Sequence, residues 1–208
     1  IFEFIDQIET KIVMREKKFK DFFLKHSISK FQVKKIYVNP DISQSGLYYR
    51  YKTEDLDKIK KLNLDLLIRG GSGILQGDIL SQCPLGIISF HHGDNNFYRG
   101  GPPGFWEVYN RASSTGFVIQ RLTKVLDGGD VIFKGHVPTS FFYKLNVCKL
   151  YLKSSIFLHK TLENLSNDID NLKYYPKTSE VGKINKIPKC HQSFMYIFKT
   201  FILGSKKI

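Results

Sequence analysis

The chain contains few cysteines and no long run of apolar residues. Its three cysteines, Cys83, Cys148 and Cys190, are odd in number and far apart along 208 residues. This spacing fits neither a disulfide framework nor a zinc site. No apolar stretch approaches the roughly 20 residues that a membrane span needs, since the longest, 193–204, is interrupted by Lys199. We therefore expect a protein of a reducing, cytoplasmic setting that is not inserted in a membrane.

Signals for targeting, repetition and low complexity are also missing. The first residue is Ile1, and nothing near it resembles a signal peptide. The opening helical pattern has no strand before it, so we expect the chain to be the later part of a longer protein whose N-terminal part precedes it. The oligomeric state is open.

The net charge of +13 has two interpretations. One is an anionic ligand, such as a nucleotide, a phosphorylated compound or a nucleic acid. The other is a solvated lysine surface, and it is favoured because the lysines are spread over both ends and no arginine cluster occurs.

Hydrophobic periodicity predicts alternating helices and strands, which indicates an α/β fold with a layered sheet and helices on both faces. A helical segment is expected over 1–26, with Ile5, Ile8 and Ile12 on one face, and another helix is expected to begin at Thr53. Further helices are expected over 74–81, 105–111 and 143–165. Strands are expected over 36–38, 47–51, 64–68, 86–90, 116–123 and 131–133.

This pattern divides the chain into three segments. Residues 1–52 form a helical and linker segment, 53–165 form a catalytic core, and 166–208 form a looser basic tail containing Pro176 and Pro188. The glycines after the strand at 64–68 lack the dinucleotide-binding spacing, because Gln76 stands where the third glycine belongs.

The stretch from Gly86 to Trp106 is the most informative part of the sequence. An apolar strand ends there in Ser89, Phe90 and His91, followed by a polar loop and by glycines and prolines. Ligands of α/β proteins bind at the carboxyl ends of strands. Ser89 and His91 are two positions apart, so their side chains leave the same face of the strand, whereas His92 points away and a two-histidine metal site is not expected.

Several spaced motifs resemble the folate-dependent formyltransferase family, which acts on glycinamide ribonucleotide, methionyl-tRNA and amino sugars. The family pattern is Asn-x-His, Arg-Gly, x-x-Pro and Trp, then Thr-Gly and Asp-x-Gly. In this chain the matching residues, which fall in register without a gap, are His91, Arg99-Gly100, Pro103, Trp106, Thr115-Gly116 and Asp127-Gly128-Gly129. The resemblance covers about 64–133 and implies a Rossmann-like formyltransferase fold.

The chain departs from the family at one catalytic position. Ser89 stands where the family has asparagine, and the family's Pro-Ser-Leu-Leu-Pro loop is replaced by residues 92–96. The chain therefore represents either a distinct subgroup or a site that has lost activity.

The resemblance implies a role for each residue of this region. His91 would stabilise the negative formyl oxygen and transfer a proton, Asp127 would hold the imidazole and relay the proton of the amine, and Ser89 would donate one hydrogen bond. Asn95, Asn96 or His92 could supply a missing donor. Arg99 and Trp106 are interpreted as loop anchors, and Glu107 and Asp130 as surface or capping residues.

The resemblance also implies the formyl donor, N10-formyltetrahydrofolate. Its pteridine ring would bind mainly to backbone groups, with glycine permitting close approach. These groups map to two segments, Gly73, Ile74 and Leu75, and then Leu122, Thr123, Lys124, Val125 and Leu126.

We expect a formyltransferase whose acceptor is a small amine, anionic in character, most naturally of an amino sugar or sugar nucleotide. A methionyl-tRNA acceptor is less favoured, because the residues after Leu165 are few and alternate poorly for the β-barrel that such enzymes carry. The alternatives are a formyltetrahydrofolate hydrolase and a non-catalytic folate-binding domain.

Overall fold

A computed structural model describes residues 1–24, 33–71, 73–169, 172–176 and 182–202. Its helices are α1 (Phe2–Val13), α2 (Lys17–Lys20), α3 (Thr53–Lys60), α4 (Phe105–Asn110), α5 (Tyr143–Asn167) and α6 (Cys190–Ile197). Short 3-10 turns cover Asp21–Phe23 and Asp78–Ser81, and a π-helical turn covers Phe198–Ile202.

The strands form one main sheet and two small ones. They are β1 (Asp41–Ile42), β2 (Tyr48–Arg50), β3 (Leu67–Ile68), β4 (Ile74–Gln76), β5 (Ile87–His91), β6 (Arg99–Gly100), β7 (Ser114–Arg121), β8 (Asp130–Pro138) and β9 (Ile184–Asn185). The main sheet has the order β3-β5-β7-β8, in which β3 is parallel to β5 and the other pairs are antiparallel. The small sheets have the orders β1-β2-β4 and β6-β9.

Helices cover both faces of the main sheet. Side chains alternate along each strand, so a buried strand such as β5 presents apolar residues to both faces. On one face, Ile88 of β5 packs with Ile119 of β7 and Leu165 of α5. On the other face, Ile87 packs with Leu56 and Ile59 of α3. The predicted layered α/β arrangement is confirmed.

Helix α1 buries a different face from the predicted one. Ile5 is buried, but Ile8 and Ile12 are 40% and 38% exposed. The buried face instead contains Ile5, Glu9 and Val13. The prediction failed because it counted only apolar residues, whereas Glu9 is buried with hydrogen-bond partners on α5 and α6.

Part of the predicted loose tail is helical and packed. Tyr196 of α6 is fully buried in a cluster with Ile5, Phe105 and Tyr143. Its hydroxyl donates to Glu9 Oε1 at 2.5 Å and accepts from the Tyr143 amide at 2.7 Å. The expectation of a loose structure is therefore wrong for 190–202, while 177–181 and 203–208 lie outside the described residues.

Three local predictions were wrong because short apolar runs do not specify one conformation. Residues 36–38 form no strand, and only Leu67–Ile68 of the strand predicted over 64–68 pairs with β5. The helix predicted over 74–81 begins instead as β4, which the parallel pairing with β2 holds extended, and continues as a 3-10 turn.

The described residues contain no helix that is both long and apolar enough to cross a lipid bilayer. Within the same ranges, no group of three or more His, Cys, Asp or Glu side chains is arranged to hold a metal ion.

Candidate active site

Strand β5 carries Ser89 and His91 on the face of the sheet that α3 covers. Both side chains are buried, with 3% and 7% of their surface exposed. Across the antiparallel pairing, Ser89 lies opposite Gln120 and His91 lies opposite Val118 of β7. Opposed residues of paired strands point to the same side, so Gln120 shares the face of the two predicted site residues.

Asp127 comes from the turn between β7 and β8 and meets His91. Its backbone is left-handed, with φ of 48°, a conformation that Asp tolerates in turns. Asp127 Oδ1 lies 3.4 Å from His91 Nδ1. Asp127 Oδ2 accepts a hydrogen bond of 3.1 Å from the Gly100 amide. The structure thus places the predicted imidazole and carboxylate side by side.

The two groups hold each other in their charged forms. Burial by itself would lower the pKa of His91, but the hydrogen bond and charge of Asp127 outweigh burial and raise this pKa above its ordinary value. Burial by itself would raise the pKa of Asp127, but the bond and charge of His91 lower it. Each group therefore favours the charged form of the other.

The second ring nitrogen of His91 is also engaged. His91 Nε2 donates to the carbonyl oxygen of Tyr98 at 3.0 Å, because a carbonyl oxygen only accepts. The loop can close this tightly only because residue 93 is glycine, since a Cβ there would lie 2.3 Å from the Tyr98 oxygen and 2.9 Å from His91 Nε2. A ligand oxygen that binds His91 Nε2 must therefore replace the Tyr98 carbonyl.

Arg99 anchors the backbone around Asp127. Its guanidinium donates to the carbonyl of Gly182 at 3.2 Å and to the carbonyl of Leu126. Trp106 Nε1 similarly donates to the carbonyls of Gly101 and Lys186, at 3.3 and 3.2 Å. Both side chains have the geometry of loop anchors, as their interpretation from the sequence requires.

Ser89 does not have a free hydroxyl in this structure. Its Oγ donates to the carbonyl of Phe90 at 3.1 Å. His92 turns to the opposite face, where it lies between the rings of Phe90 and Tyr151, and its Nε2 lies 2.9 Å from Ser154 Oγ. Burial, with the charge of His91, lowers the pKa of His92 to about 3. His92 is therefore a neutral packing residue, and it supplies no donor to the His91 side.

The two asparagines of the loop differ in position. Asn95 is 6% exposed, and its Nδ2 donates to Gln120 Oε1 at 3.1 Å. Asn96 is half-buried, and its backbone N–H donates to Asp94 Oδ1 at 2.9 Å. Asn95 therefore connects the loop to Gln120, on the face that carries Ser89 and His91.

Glu107 was interpreted from the sequence as a surface or capping residue, and the surface position is wrong. It is 1% exposed, and its Oε1 has no hydrogen-bond partner among the described residues. Burial raises the pKa of Glu107 to about 7, with the charge of His91 lowering it and that of Asp94 raising it. Asp130 is also buried, and its Oδ2 binds Arg121 Nη2 at 2.7 Å.

Gln120 was also missed, although the sequence contains a signal for it. It directly follows the apolar run Phe117–Ile119 and is 1% exposed. A buried amide in an apolar strand requires partners. The periodicity could place it on a face of β7, but only the register of β5 and β7 places it beside Ser89.

The region predicted to hold the folate lies beside a cavity. The cavity has a volume of about 260 Å³ and an apolar floor, and it is lined in part by Ile59, Leu67, Arg69, Gly70, Gly71 and Leu75. Leu122 packs in the same apolar cluster as Leu75. Arg69 Nε is buried without a partner among the described residues. An apolar slot with a spare donor suits a flat ring with a polar edge, so these residues fit the proposed group.

At two of the predicted folate-binding positions, the backbone is covered by a side chain or already hydrogen-bonded. A Cβ at Gly73 would lie 2.0 Å from Tyr49 Cε2, so the ring of Tyr49 covers the face of this glycine. Val125 is 54% exposed, and its amide donates to Thr123 Oγ1 at 3.3 Å. A ring that approached Gly73 would have to displace Tyr49.

Sequence comparisons relate part of the chain to known proteins. No protein-family model matches the chain. A methionyl-tRNA formyltransferase from Ruminiclostridium cellulolyticum is 32% identical over 123 residues, which are 58% of this chain and 35% of that protein. The chain spans about a third of the length of the first curated relatives it matches.

Solved structures extend the likeness to the fold. A methionyl-tRNA formyltransferase from Clostridium thermocellum has a TM-score of 0.52 and 18% identity, over 68% of this chain and 64% of that chain. A sugar N-formyltransferase from Shewanella has a TM-score of 0.52 and 19% identity, over 70% and 63%. At these identities the likeness establishes the Rossmann-like fold alone. The sequence relatives thus confirm the resemblance of this chain to the folate-dependent formyltransferases.

Proposed function

We propose that this chain carries a formyl-transfer site that moves the one-carbon unit of N10-formyltetrahydrofolate to a primary amine. The observation that supports the proposal is the ion pair of His91 and Asp127, at 3.4 Å, beside the carboxyl end of β5. It unites two motifs of the formyltransferase pattern from different parts of the sequence. The sequence relatives named as formyltransferases support the same reaction class.

The folate supplies an activated formyl group, and the residues of this chain manage charge and protons around it. His91 Nε2 is a donor that can stabilise a negative oxygen once the Tyr98 carbonyl is replaced. Asp127 orients the imidazole and accepts the proton that the amine gives up. The Gly100 amide holds the second oxygen of Asp127 and so keeps the carboxylate in register.

The donor site that we propose is the cavity beside Arg69 and Leu75. Its test is calorimetric titration with tetrahydrofolate. Binding below millimolar concentration supports a folate site, and the Arg69→Ala variant should bind several-fold more weakly. Absence of binding by the unmodified chain contradicts every folate proposal.

For the acceptor we propose the amino group of an amino sugar or sugar nucleotide, which the excess of 13 positive charges would attract if it is anionic. One structural neighbour is named a sugar N-formyltransferase, whereas the sequence relatives are named for methionyl-tRNA. A direct test measures absorbance during consumption of N10-formyltetrahydrofolate with amino-sugar nucleotides, with methionyl-tRNA and with buffer alone.

Each outcome of that assay assigns one function. Turnover only with a sugar amine supports our proposal, and turnover only with methionyl-tRNA replaces the acceptor. Turnover in buffer alone identifies a hydrolase. Folate binding without turnover in any mixture identifies a non-catalytic folate-binding domain.

A further inference from the structure

Gln120 is a buried amide on the reactive face of the sheet. It lies directly opposite Ser89 in the pairing of β5 with β7, and it is 1% exposed. The side chains of directly opposed residues begin about 5 Å apart on the same face. The side chain of Gln120 therefore begins beside position 89, where the formyltransferase pattern has an asparagine.

Two donors fix the orientation of this amide. Gln120 Oε1 accepts from Asn95 Nδ2 at 3.1 Å and from the Gly129 amide at 3.1 Å. A carbonyl oxygen has two lone pairs, so its capacity is filled. The opposite assignment would turn the Gln120 NH2 group towards the Gly129 N–H, two donors facing each other. Nε2 is consequently the end of the side chain that can serve a ligand.

The two anchors tie Gln120 to the two loops that follow the members of the ion pair. Gly129 follows Asp127 by two positions, and Asn95 follows His91 by four. Ser89 is short and its hydroxyl bonds to the Phe90 carbonyl. A serine at this position also occupies less of this face of β5 than the longer asparagine of the family pattern would.

We propose that Gln120 Nε2 is the oxyanion donor of this site. In this role Gln120, on β7, takes the place of the asparagine that the family pattern has at position 89 of β5. Asn95 is the positioning residue that holds Gln120. The inference rests on the proposed formyl transfer. It also separates the two alternatives for Ser89, since the chain is then a distinct subgroup and its site has kept its donor.

The amide acts without exchanging a proton. As the acceptor nitrogen bonds to the formyl carbon, an electron pair moves onto the formyl oxygen, and the N–H of Gln120 stabilises the charge. The pair returns as the bond to folate N10 breaks. The proton released by the amine passes through the His91–Asp127 pair to N10, so charge and atoms balance.

The first test is Gln120→Glu, which keeps oxygens for Asn95 and Gly129 but removes the donor. We expect kcat to fall about 10²–10³-fold, as for loss of one oxyanion donor, while the Kd for tetrahydrofolate changes less than about threefold. The matched control is Gln82→Glu, whose amide serves only the Asp78 carbonyl among the described residues. Asn95→Ala should lower kcat by a smaller factor with little change in KM.

A second test removes the amide from position 120 and places one at position 89. Gln120→Ala should be as impaired as Gln120→Glu, and adding Ser89→Asn to Gln120→Ala should recover at least tenfold in kcat. Such rescue cannot come from a residue that only supports the fold. Near-ultraviolet circular dichroism identifies any variant that fails to fold.

Two failures are distinguishable. If the unmodified chain transfers formyl groups and folded Gln120 variants keep kcat within about threefold, or the double variant shows no recovery, the inference about Gln120 is overturned and the proposed function stands. If the unmodified chain consumes no formyl donor, both are overturned.

Discussion

At the scale of single residues, His91 and Asp127 stabilise each other in a defined range of pH. Because the pKa of His91 is raised, its contribution to stability is complete below its ordinary pKa near 6.5 and is lost as the pH rises through the folded value. Because the pKa of Asp127 is lowered, its contribution is present above its ordinary value of 3.8 and is lost as the pH falls through the folded value. The ion pair therefore stabilises the fold most at mildly acidic pH.

Replacing Asp127 by asparagine should lower the pKa of His91. The replacement removes the charge that opposes burial, so the imidazole should titrate below its ordinary pKa. Nuclear magnetic resonance of the imidazole carbon and nitrogen signals measures this pKa. The control Asp57→Asn, on an exposed position of α3, should leave it unchanged, and an unaltered His91 titration in Asp127→Asn would contradict the ion pair.

The raised pKa of Glu107 leads to a second prediction about the pH dependence of stability. Its folded pKa of about 7 lies above its ordinary 4.5, so the folded protein loses stability as the pH rises between these values. Glu107→Gln removes the ionisation and should raise the Tm more at pH 8 than at pH 5. The exposed Glu163→Gln on α5 is the matched control. An equal shift at both pH values would show that folding leaves the pKa of Glu107 unchanged, which would contradict the prediction.

The sequence could predict some of these residues and not others. His91 and Asp127 follow from motifs in register, which carry information about distant parts of the chain. Gln120 and Glu107 follow from no motif, because their role depends on strand register and on burial, and periodicity measures neither. The hydrogen bond from Ser89 to Phe90 likewise depends on a side-chain conformation that the sequence does not specify.

At the scale of elements, Glu9 joins three helices. Its Oε2 accepts from the Lys144 amide in the first turn of α5 at 2.8 Å, and its Oε1 accepts from the Tyr196 hydroxyl of α6. The first amides of a helix have no partner within the helix, and a carboxylate there is favourable. A glutamate from α1 thus caps α5, which has no side-chain cap of its own.

Glu9→Gln should destabilise the protein. An amide offers one acceptor oxygen in place of two, so one buried donor loses its partner at a cost of about 1–3 kcal/mol. For a chain of this size each kcal/mol lowers the Tm by about 2–4 °C, which calorimetry can measure. Glu3→Gln on the exposed part of α1 is the matched control, and equal Tm values for the two variants would exclude the cap.

Element prediction succeeded where the pattern was long. Strand β7 and the helix α5 extend over many residues, and their periodicity decides their type. Of β8, which covers Asp130–Pro138, only 131–133 was predicted. Element prediction failed for β4 and for residues 36–38, where a few apolar residues permit several conformations and pairing decides. The packing of α6 was missed because its few apolar residues are buried by partners distant in sequence.

At the scale of the whole molecule, one apolar cluster joins the ends of the chain to the site. Phe105 begins α4 directly after the loop of Arg99, is fully buried, and packs with Ile5 of α1 and Tyr196 of α6. The first and last helices thus support the loop that positions Asp127. This support could not be predicted, because it requires knowledge of which distant helices meet.

The central claim is that His91 and Asp127 together carry out formyl transfer. The most direct test compares the consumption of N10-formyltetrahydrofolate by the unmodified chain, His91→Ala, Asp127→Ala and the double variant, with tetrahydrofolate affinity measured alongside. We expect each single variant to lose nearly all turnover, the double variant to lose little more, and folate affinity to remain nearly unchanged. A single variant that binds folate and keeps most of its rate would contradict the account.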